Sequence, residues 1–258
     1  NRIDHVWARS DVGDRSFTKY HYDSLGKLVF TVTGAERDQV ENLTGISVSN
    51  VASLTAADIN DHLGAGMSVN VYDTVNNRVD HIWARDDSGK ATFTKYFHNT
   101  SGELVYTITG ADRTEVENIS GITVDNVATL SETAIENTLL GGMSLAVYDI
   151  GNNRIDHSWG RSETGTISYT KYHYDALGKL VFTVSGSNRA DVEGLTQVTV
   201  ANAASLTESQ IDSYLDAGMS IAVYDTINNR VDHVWARDDS GKATFTLYNY
   251  NTNGQLAY

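Results

Sequence analysis

The residues best suited to chemistry come as a set, and the set occurs four times: Asp80, His81, Trp83 and Arg85, then Asp4, His5, Trp7 and Arg9, Asp156, His157, Trp159 and Arg161, and Asp232, His233, Trp235 and Arg237. A carboxylate next to an imidazole is raw material for general acid–base catalysis. Along an extended strand, however, side chains alternate, which places Val79, His81, Trp83 and Arg85 on one face and Asp80 on the other. Acid and base are then expected to be separated. No serine is accompanied by its own base and the chain has no cysteine, so a nucleophilic mechanism lacks its parts. The set reads as packing, a hydrogen-bonded histidine beside a core tryptophan. Trp7, Trp83, Trp159 and Trp235 are the expected core of each copy, and the chain is expected not to be an enzyme.

Two binding chemistries compete with that reading. Oxygen donors cluster at Asp73, Asn76 and Asp80 and at Asp86 and Asp87, a set that could hold calcium. The spacing fits neither an EF-hand nor a glycine-rich nonapeptide, and hairpin turns use the same residue types. The expectation is therefore no cofactor. Tyr20, Tyr22, Tyr172 and Tyr174 could stack on sugar rings, although tyrosine is equally suited to packing between strands or repeats. Asn42, Asn99 and Asn118 match the N-x-[ST] glycosylation pattern, a short motif that a chain rich in Asn, Ser and Thr meets readily.

All these residues are carried by one repeating module. The segment NRIDHVWAR at position 1 returns as NRVDHIWAR at 77, NRIDHSWGR at 153 and NRVDHVWAR at 229, a spacing of 76 residues. In MSVNVYD, Met67, Val69 and Val71 alternate with Ser68, Asn70 and Tyr72, the period of a half-buried strand. Asn76-Asn77 follows as a tight turn. RVDHIWAR, ATFTKYFH and ELVYTITG complete a four-stranded antiparallel meander, with turns at Asp86–Gly89 and Asn99–Gly102.

The period then changes. Val116 and Ile119 before Gly121 suggest a short helix, and the alternation of Ile122 with Val124 suggests a brief strand or a linker leading to Leu130. Thr55 with Asp58 and Thr207 with Gln210 have the spacing of capping boxes ahead of Ile59 and Leu63, and of Ile211 and Leu215. The fold class is thus an α+β tandem repeat, each unit a meander plus one or two short helices, with units rigidly coupled in a linear array. Its boundaries are 1–66 (a first repeat lacking its first strand), 67–142, 143–218 and 219–258 (a fourth repeat of strands only).

Composition limits the partners. The chain has 258 residues, 40% of them hydrophobic, enough for ordinary cores, and neither cysteine nor proline. Cores must hold without disulfides, and no stiff proline hinge parts the repeats. A formal charge of -14 repels phosphate backbones and anionic lipid heads, so neither nucleic acid nor membrane insertion is expected.

One stretch has a family likeness. Tyr20-His21-Tyr22-Asp23-Ser24-Leu25-Gly26-Lys27-Leu28 resembles the Y-x-Y-D-x-x-G-x-L motif of the YD repeat in bacterial Rhs and insecticidal-toxin shell proteins. The third module matches over 172–180, through Tyr172, Tyr174, Asp175, Gly178 and Leu180. The second keeps Tyr96, His98, Asn99, Gly102 and Leu104, and the fourth Tyr248, Tyr250, Asn251, Gly254 and Leu256. Gly89 to Thr92, ahead of Tyr96, is similar to the family's lead-in. The resemblance implies a β-hairpin element whose copies build a long spiralling sheet, often a shell around a toxin, and a bacterial, exported or surface protein. Here a helical segment follows each such element.

The expected function is structural: a segment of a long extracellular or cell-surface array serving as stalk, surface layer, filament or adhesin. The first sheet is expected to lack an edge strand, and self-association through sheet edges or repeat ends to follow. The alternatives are a multivalent carbohydrate-binding module, its partners cell-surface glycans, or a fragment of an Rhs-like toxin shell.

Overall fold

The computed structural model describes residues 2–10, 13–252 and 254–257. The chain forms two compact units, one up to Ser120 and one from Gly121. The division falls inside the second repeat rather than at a repeat boundary, and the helices explain why.

In the first unit, β1 (His5–Arg9), β2 (Arg15–Tyr22) and β3 (Leu28–Gly34) are followed by α1 (Arg37–Glu41) and α2 (Ala56–His62). The strands β4 (Ser68–Asp73), β5 (Arg78–Arg85), β6 (Ala91–His98) and β7 (Leu104–Gly110), and then α3 (Arg113–Glu117), complete it. Every strand pairs antiparallel with the next. The helical excursion does not interrupt the ladder: Phe30 lies opposite Val71 and Val32 opposite Val69, so β3 of the first repeat pairs directly with β4 of the second.

The second unit repeats the plan with α4 (Glu132–Thr138), β8 (Ser144–Asp149), β9 (Arg154–Arg161), β10 (Ile167–Tyr174), β11 (Leu180–Gly186), α5 (Arg189–Gly194), α6 (Glu208–Tyr214), β12 (Ser220–Asp225), β13 (Arg230–Arg237) and β14 (Ala243–Leu247). Phe182 opposite Val223 and Val184 opposite Ile221 carry its ladder across the third repeat boundary. The fourth copy departs from the expected meander. Its third strand stops at Leu247, and β15 (Asn249–Tyr250) pairs with β16 (Leu256–Ala257) as a separate two-stranded piece.

Each helical segment divides its attention. α1 packs on β2 and β3 behind it, whereas α2 packs on β5 and β6 ahead of it; α3 packs back on β6 and β7. Both capping boxes form, Thr55 with Asp58 and Thr207 with Gln210. Ile59, Leu63, Ile211 and Leu215 are buried as their four-residue spacing predicts. Of the strand or linker expected at Ile122–Val124, the linker is what forms, a loop leading into a 3-10 turn at Val127–Thr129. Asn126 closes it, Oδ1 accepting from the Thr123 amide at 2.8 Å and Nδ2 donating to the Gly121 carbonyl at 2.8 Å. Such a side-chain-to-backbone closure competes with a strand.

The core lies between the helices and one sheet face. Phe17, Phe30, Val69, Trp83 and Phe93 are sealed there in the first unit, and Leu145, Trp159, Tyr169 and Phe182 in the second. At roughly 1.5–3 kcal/mol per buried large apolar side chain, this face supplies most of the stabilisation.

Candidate functional site

The strand carrying the Asp-His-x-Trp-x-Arg set does not alternate throughout. Val71 pairs with His81 but Tyr72 pairs with Val79, which leaves Asp80 as the extra residue of a β-bulge. The expected separation of acid and base is therefore overturned. The bulge turns Asp80 to the side of His81, and moves Val79 opposite Tyr72 on the other face. His81 Nδ1 lies 2.7 Å from Asp80 Oδ2, and Lys95 Nζ from the neighbouring strand donates to the same carboxylate at 2.7 and 2.8 Å.

The triplet recurs as Asp4–His5–Lys19 and Asp156–His157–Lys171. In the fourth copy His233 keeps Asp232, but Leu247 stands at the lysine's position. Burial, the largest single influence, pushes the Asp80 carboxyl up. The bonds from His81 and Lys95 outweigh it and hold the group well below the usual carboxylate range. Asp156 is lowered chiefly by His157, and Asp4, chiefly by His5, to about 2. An acid this firmly ionised, spent on a lysine and a histidine, has no proton to give and little basicity to offer.

His81 and Trp83 are sealed, at 1% and 0% exposure, and His81 Nε2 and Trp83 Nε1 have no hydrogen-bond partner among the described protein atoms. The same holds for His157 and Trp159. The tryptophans pack against the ring opposite them, Trp83 on Phe93 at 4.9 Å and Trp159 on Tyr169 at 4.6 Å. Trp235 is half-buried, and Trp7, grouped with the core by its motif, is 49% exposed. The strand of Trp83, β5, is covered by α2.

Arg85 has a role the sequence did not suggest. Its Nη1 donates to the Leu63 carbonyl at 2.7 Å, and its Nε to the Gly89 carbonyl at 2.8 Å, so a strand residue of one repeat caps the C-terminus of the helix before it. Arg161 does the same through Leu139 at 2.6 Å, and Arg237 through Leu215 at 2.6 Å. A second arginine joins helical segments along the chain. Arg113 donates to the Ala52 carbonyl at 2.6 Å while lying over Phe93, and Arg189 donates to the Leu130 carbonyl at 3.1 Å while lying over Tyr169. Only the spacing of these arginines was visible in advance; their partners in the helical segments lie 22 to 61 positions away.

The oxygen donors weighed for calcium are engaged in their own turns. Asp73 accepts from the Val75 and Asn76 amides and from Asn76 Nδ2, and Asp86 accepts from Ser88 Oγ and the Lys90 amide. Asp80 belongs to the histidine–lysine triplet, and Asp87 lies beside Gly66. Among the described residues no group of three or more His, Asp or Glu side chains is placed to hold a metal.

The tyrosines divide into two kinds. Tyr22 and Tyr174 donate their hydroxyls to the Ile3 and Ile155 carbonyls at 2.7 and 2.8 Å, with Arg2 and Arg154 over their rings. Burial pushes the Tyr174 phenol up to about 12. Tyr20 and Tyr172 are half-buried on the face away from the helices, each opposite a buried threonine, Thr31 or Thr183. The remaining motif residues close the turn. Asp23 Oδ1 accepts from the Leu25 and Lys27 amides, and Gly26 takes the positive φ of 83° that the turn requires. In the second module Asn99 supplies the same oxygen to the Glu103 amide, which is why the motif tolerates Asp to Asn. A cavity of about 270 Å³ beneath α1, lined by Lys19, His21, Phe30 and Glu41, borders the first triplet through Lys19.

No protein-family model and no curated protein matches the chain in sequence. Among solved structures it is similar to a crystal structure of TcdB2-TccC3-TEV, with a TM-score of 0.23 and 11% identity over 99% of this chain and 12% of that one. It is also similar to one of TcdB2-TccC3-Cdc42, with a TM-score of 0.17 and 11% identity over 93% of this chain and 15% of the other. The chain therefore spans a small fraction of those proteins' length.

Proposed function

We propose that the chain is a non-catalytic structural segment, part of a longer array that acts outside the cell or at its surface as a stalk, layer, filament or adhesin. The observation that carries this reading is the continuity of the β-ladder across repeat boundaries, Phe30 with Val71 and Phe182 with Val223. A hydrogen-bonded ladder resists bending in a way that a linker does not, and the arginines that cross from strand to preceding helix reinforce it. The Asp–His–Lys triplets support the same reading, because each ties two neighbouring strands and spends its carboxylate on that tie.

Stretching the intact chain from its ends in a force-spectroscopy experiment tests the proposal. Lengthening in steps larger than one repeat is expected, because neighbours share a ladder. Release of single 76-residue modules at low force would overturn it. Chelation is expected to leave the melting temperature unchanged.

A shell-like use, as the YD resemblance implies, is favoured by one feature: each Y-x-Y-D hairpin leads into a strand that joins the next repeat's sheet despite the intervening helices. Carbohydrate binding rests on Tyr20 and Tyr172, and a glycan array with Tyr20→Ala and Tyr172→Ala variants decides it.

A further inference from the structure

One rim of the sheet carries a pattern with twice the period of the fold. Antiparallel order brings the β2–β3, β4–β5 and β6–β7 turns to one rim of the first unit, and the β8–β9, β10–β11 and β12–β13 turns to one rim of the second. On these turns stand the four most exposed large apolar side chains of the described residues: Leu25 at 83%, Val75 at 82%, Leu177 at 84% and Ile227 at 86%, with no other above 54%. They form two pairs. Lys27 Nζ donates to the Thr74 carbonyl at 3.0 Å, tying the Leu25 turn to the Val75 turn, and Lys179 Nζ donates to the Thr226 carbonyl at 2.9 Å for Leu177 and Ile227.

The pairs are 152 residues apart, two repeats, and midway between them, 76 residues from each, the corresponding positions are Ser101 and Glu103 in the second repeat and Gly151 in the third. The turns do not need the difference. The Leu25 and Ser101 turns both close through an Asp or Asn oxygen and a glycine at positive φ, Gly26 at 83° and Gly102 at 86°, and the Val75 and Gly151 turns both place an asparagine at positive φ, Asn77 at 52° and Asn153 at 49°. A leucine held in water at a position where serine folds equally well points outward, to a partner.

We propose that this rim joins two copies of the chain side by side, the Leu25–Val75–Lys27 cluster of each seated on the Ser101–Glu103 turn of the other. The proposal rests on the reading of the chain as a structural array and names what that array touches. Charge selects this arrangement. Apposing like clusters would set lysine against lysine and glutamate against glutamate, whereas the offset sets ammonium against carboxylate and large side chains against a serine. Both elements lie in the first unit, so the contact is reciprocal, as two-fold symmetry requires. Leu177, Ile227 and Lys179 repeat the cluster in the second unit and give a further copy the same foothold. Each contact is small and gains strength from repetition.

Sedimentation velocity of the intact chain over a concentration series tests this. Reversible dimerisation is expected, weakened about tenfold or more by Lys27→Glu with Lys179→Glu, and equally by Glu103→Lys. Mixing those two variants should restore pairing between them. Leu25→Ser, Val75→Gly, Leu177→Ser and Ile227→Gly together should abolish dimerisation while leaving the circular dichroism spectrum intact, since the equivalent turns of this same chain carry Ser101 and Gly151. A chain that stays monomeric throughout the series overturns the proposal, as does dimerisation that survives the apolar replacements. Dimerisation lost with the apolar replacements but indifferent to charge overturns the offset arrangement. Binding to zwitterionic vesicles without self-association would assign the rim to lipid instead. The structural reading fails separately, by release of single repeats under force.

Discussion

Trp7 and Trp83 occupy the same motif and make the same local contacts, yet one is 49% exposed and the other fully sealed. Each lies opposite a phenylalanine on the next strand, Trp7 opposite Phe17 and Trp83 opposite Phe93, with ring centroids 4.9 Å apart in both pairs. What differs is the preceding repeat. β4 pairs with the strand that carries Trp83, α2 packs over that strand, and Arg85 fastens the end of α2, whereas Arg9 donates to the Gly13 carbonyl of its own turn. The motif specifies a strand and a ring pair; the seal comes from the neighbour. Stability in this chain is therefore largely an interface property between repeats, as in other solenoid-like arrays.

The comparison can be broken most forcefully at the tryptophans. Trp83→Ala should cost about 3–5 kcal/mol and Trp7→Ala about 1 kcal/mol or less in chemical denaturation. Equal costs would show that the cover contributes nothing. Removing the cover instead of the ring sharpens the point. Ile59→Ala, in a helix of the preceding repeat, should cost about 2–5 kcal/mol and shift Trp83 emission to the red, in a variant whose other tryptophans are phenylalanine. At the fastening itself, Arg85→Ala should cost about 1–3 kcal/mol by freeing carbonyls at the end of α2, while Arg9→Ala should be within about 0.5 kcal/mol of the parent.

Two pH effects are smaller. The carboxyls of Asp80 and Asp156 are lowered in the folded state, so their stabilisation is complete above the unfolded value near 4 and is lost as the pH falls through the folded one. Asp80→Asn with Asp156→Asn should lower stability at neutral pH and flatten the acid limb of the melting curve. His21 and His173 are lowered chiefly by burial, so the unfolded chain takes up their protons first and stability declines as the pH drops below about 6.5. Each stacks on a phenylalanine, His173 on Phe182 at 4.2 Å, and Phe97 occupies the same place over Tyr106 at 4.3 Å. His21→Phe with His173→Phe should keep the stack and remove that decline, measured by thermal melts from pH 5 to 7.

Much of this was legible in the residues themselves. Met67, Val69 and Val71 declared their face by alternation, Asn76-Asn77 its turn through a positive φ of 52° at Asn77, and Thr55 and Thr207 their helix starts. The Asp80–His81 contact was hidden because a bulge is fixed by the count of residues on the partner strand, which the bulged strand does not encode alone. Arg85 looked like part of an active site because its partners, the carbonyls of Leu63 and Gly89, are backbone atoms without a residue signature. The choice between strand and linker at Ile122–Val124 was open for a similar reason: it is settled by Asn126, whose Oδ1 accepts from the Thr123 amide. Local periodicity was a sound guide wherever pairing was regular, misled where one residue was added, and left the choice open where a side chain replaced a backbone partner.

The division of labour between α1, which packs backward, and α2, which packs forward, gives biosynthesis a direction. As the polypeptide leaves the ribosome, each new pair of strands emerges beside a helix already made and waiting for it, while its own far side stays open until the next stretch is translated. Assembly should then advance as a zipper that trails the exit tunnel by part of a repeat, with only the newest unfinished edge available to chaperones or proteases at any moment.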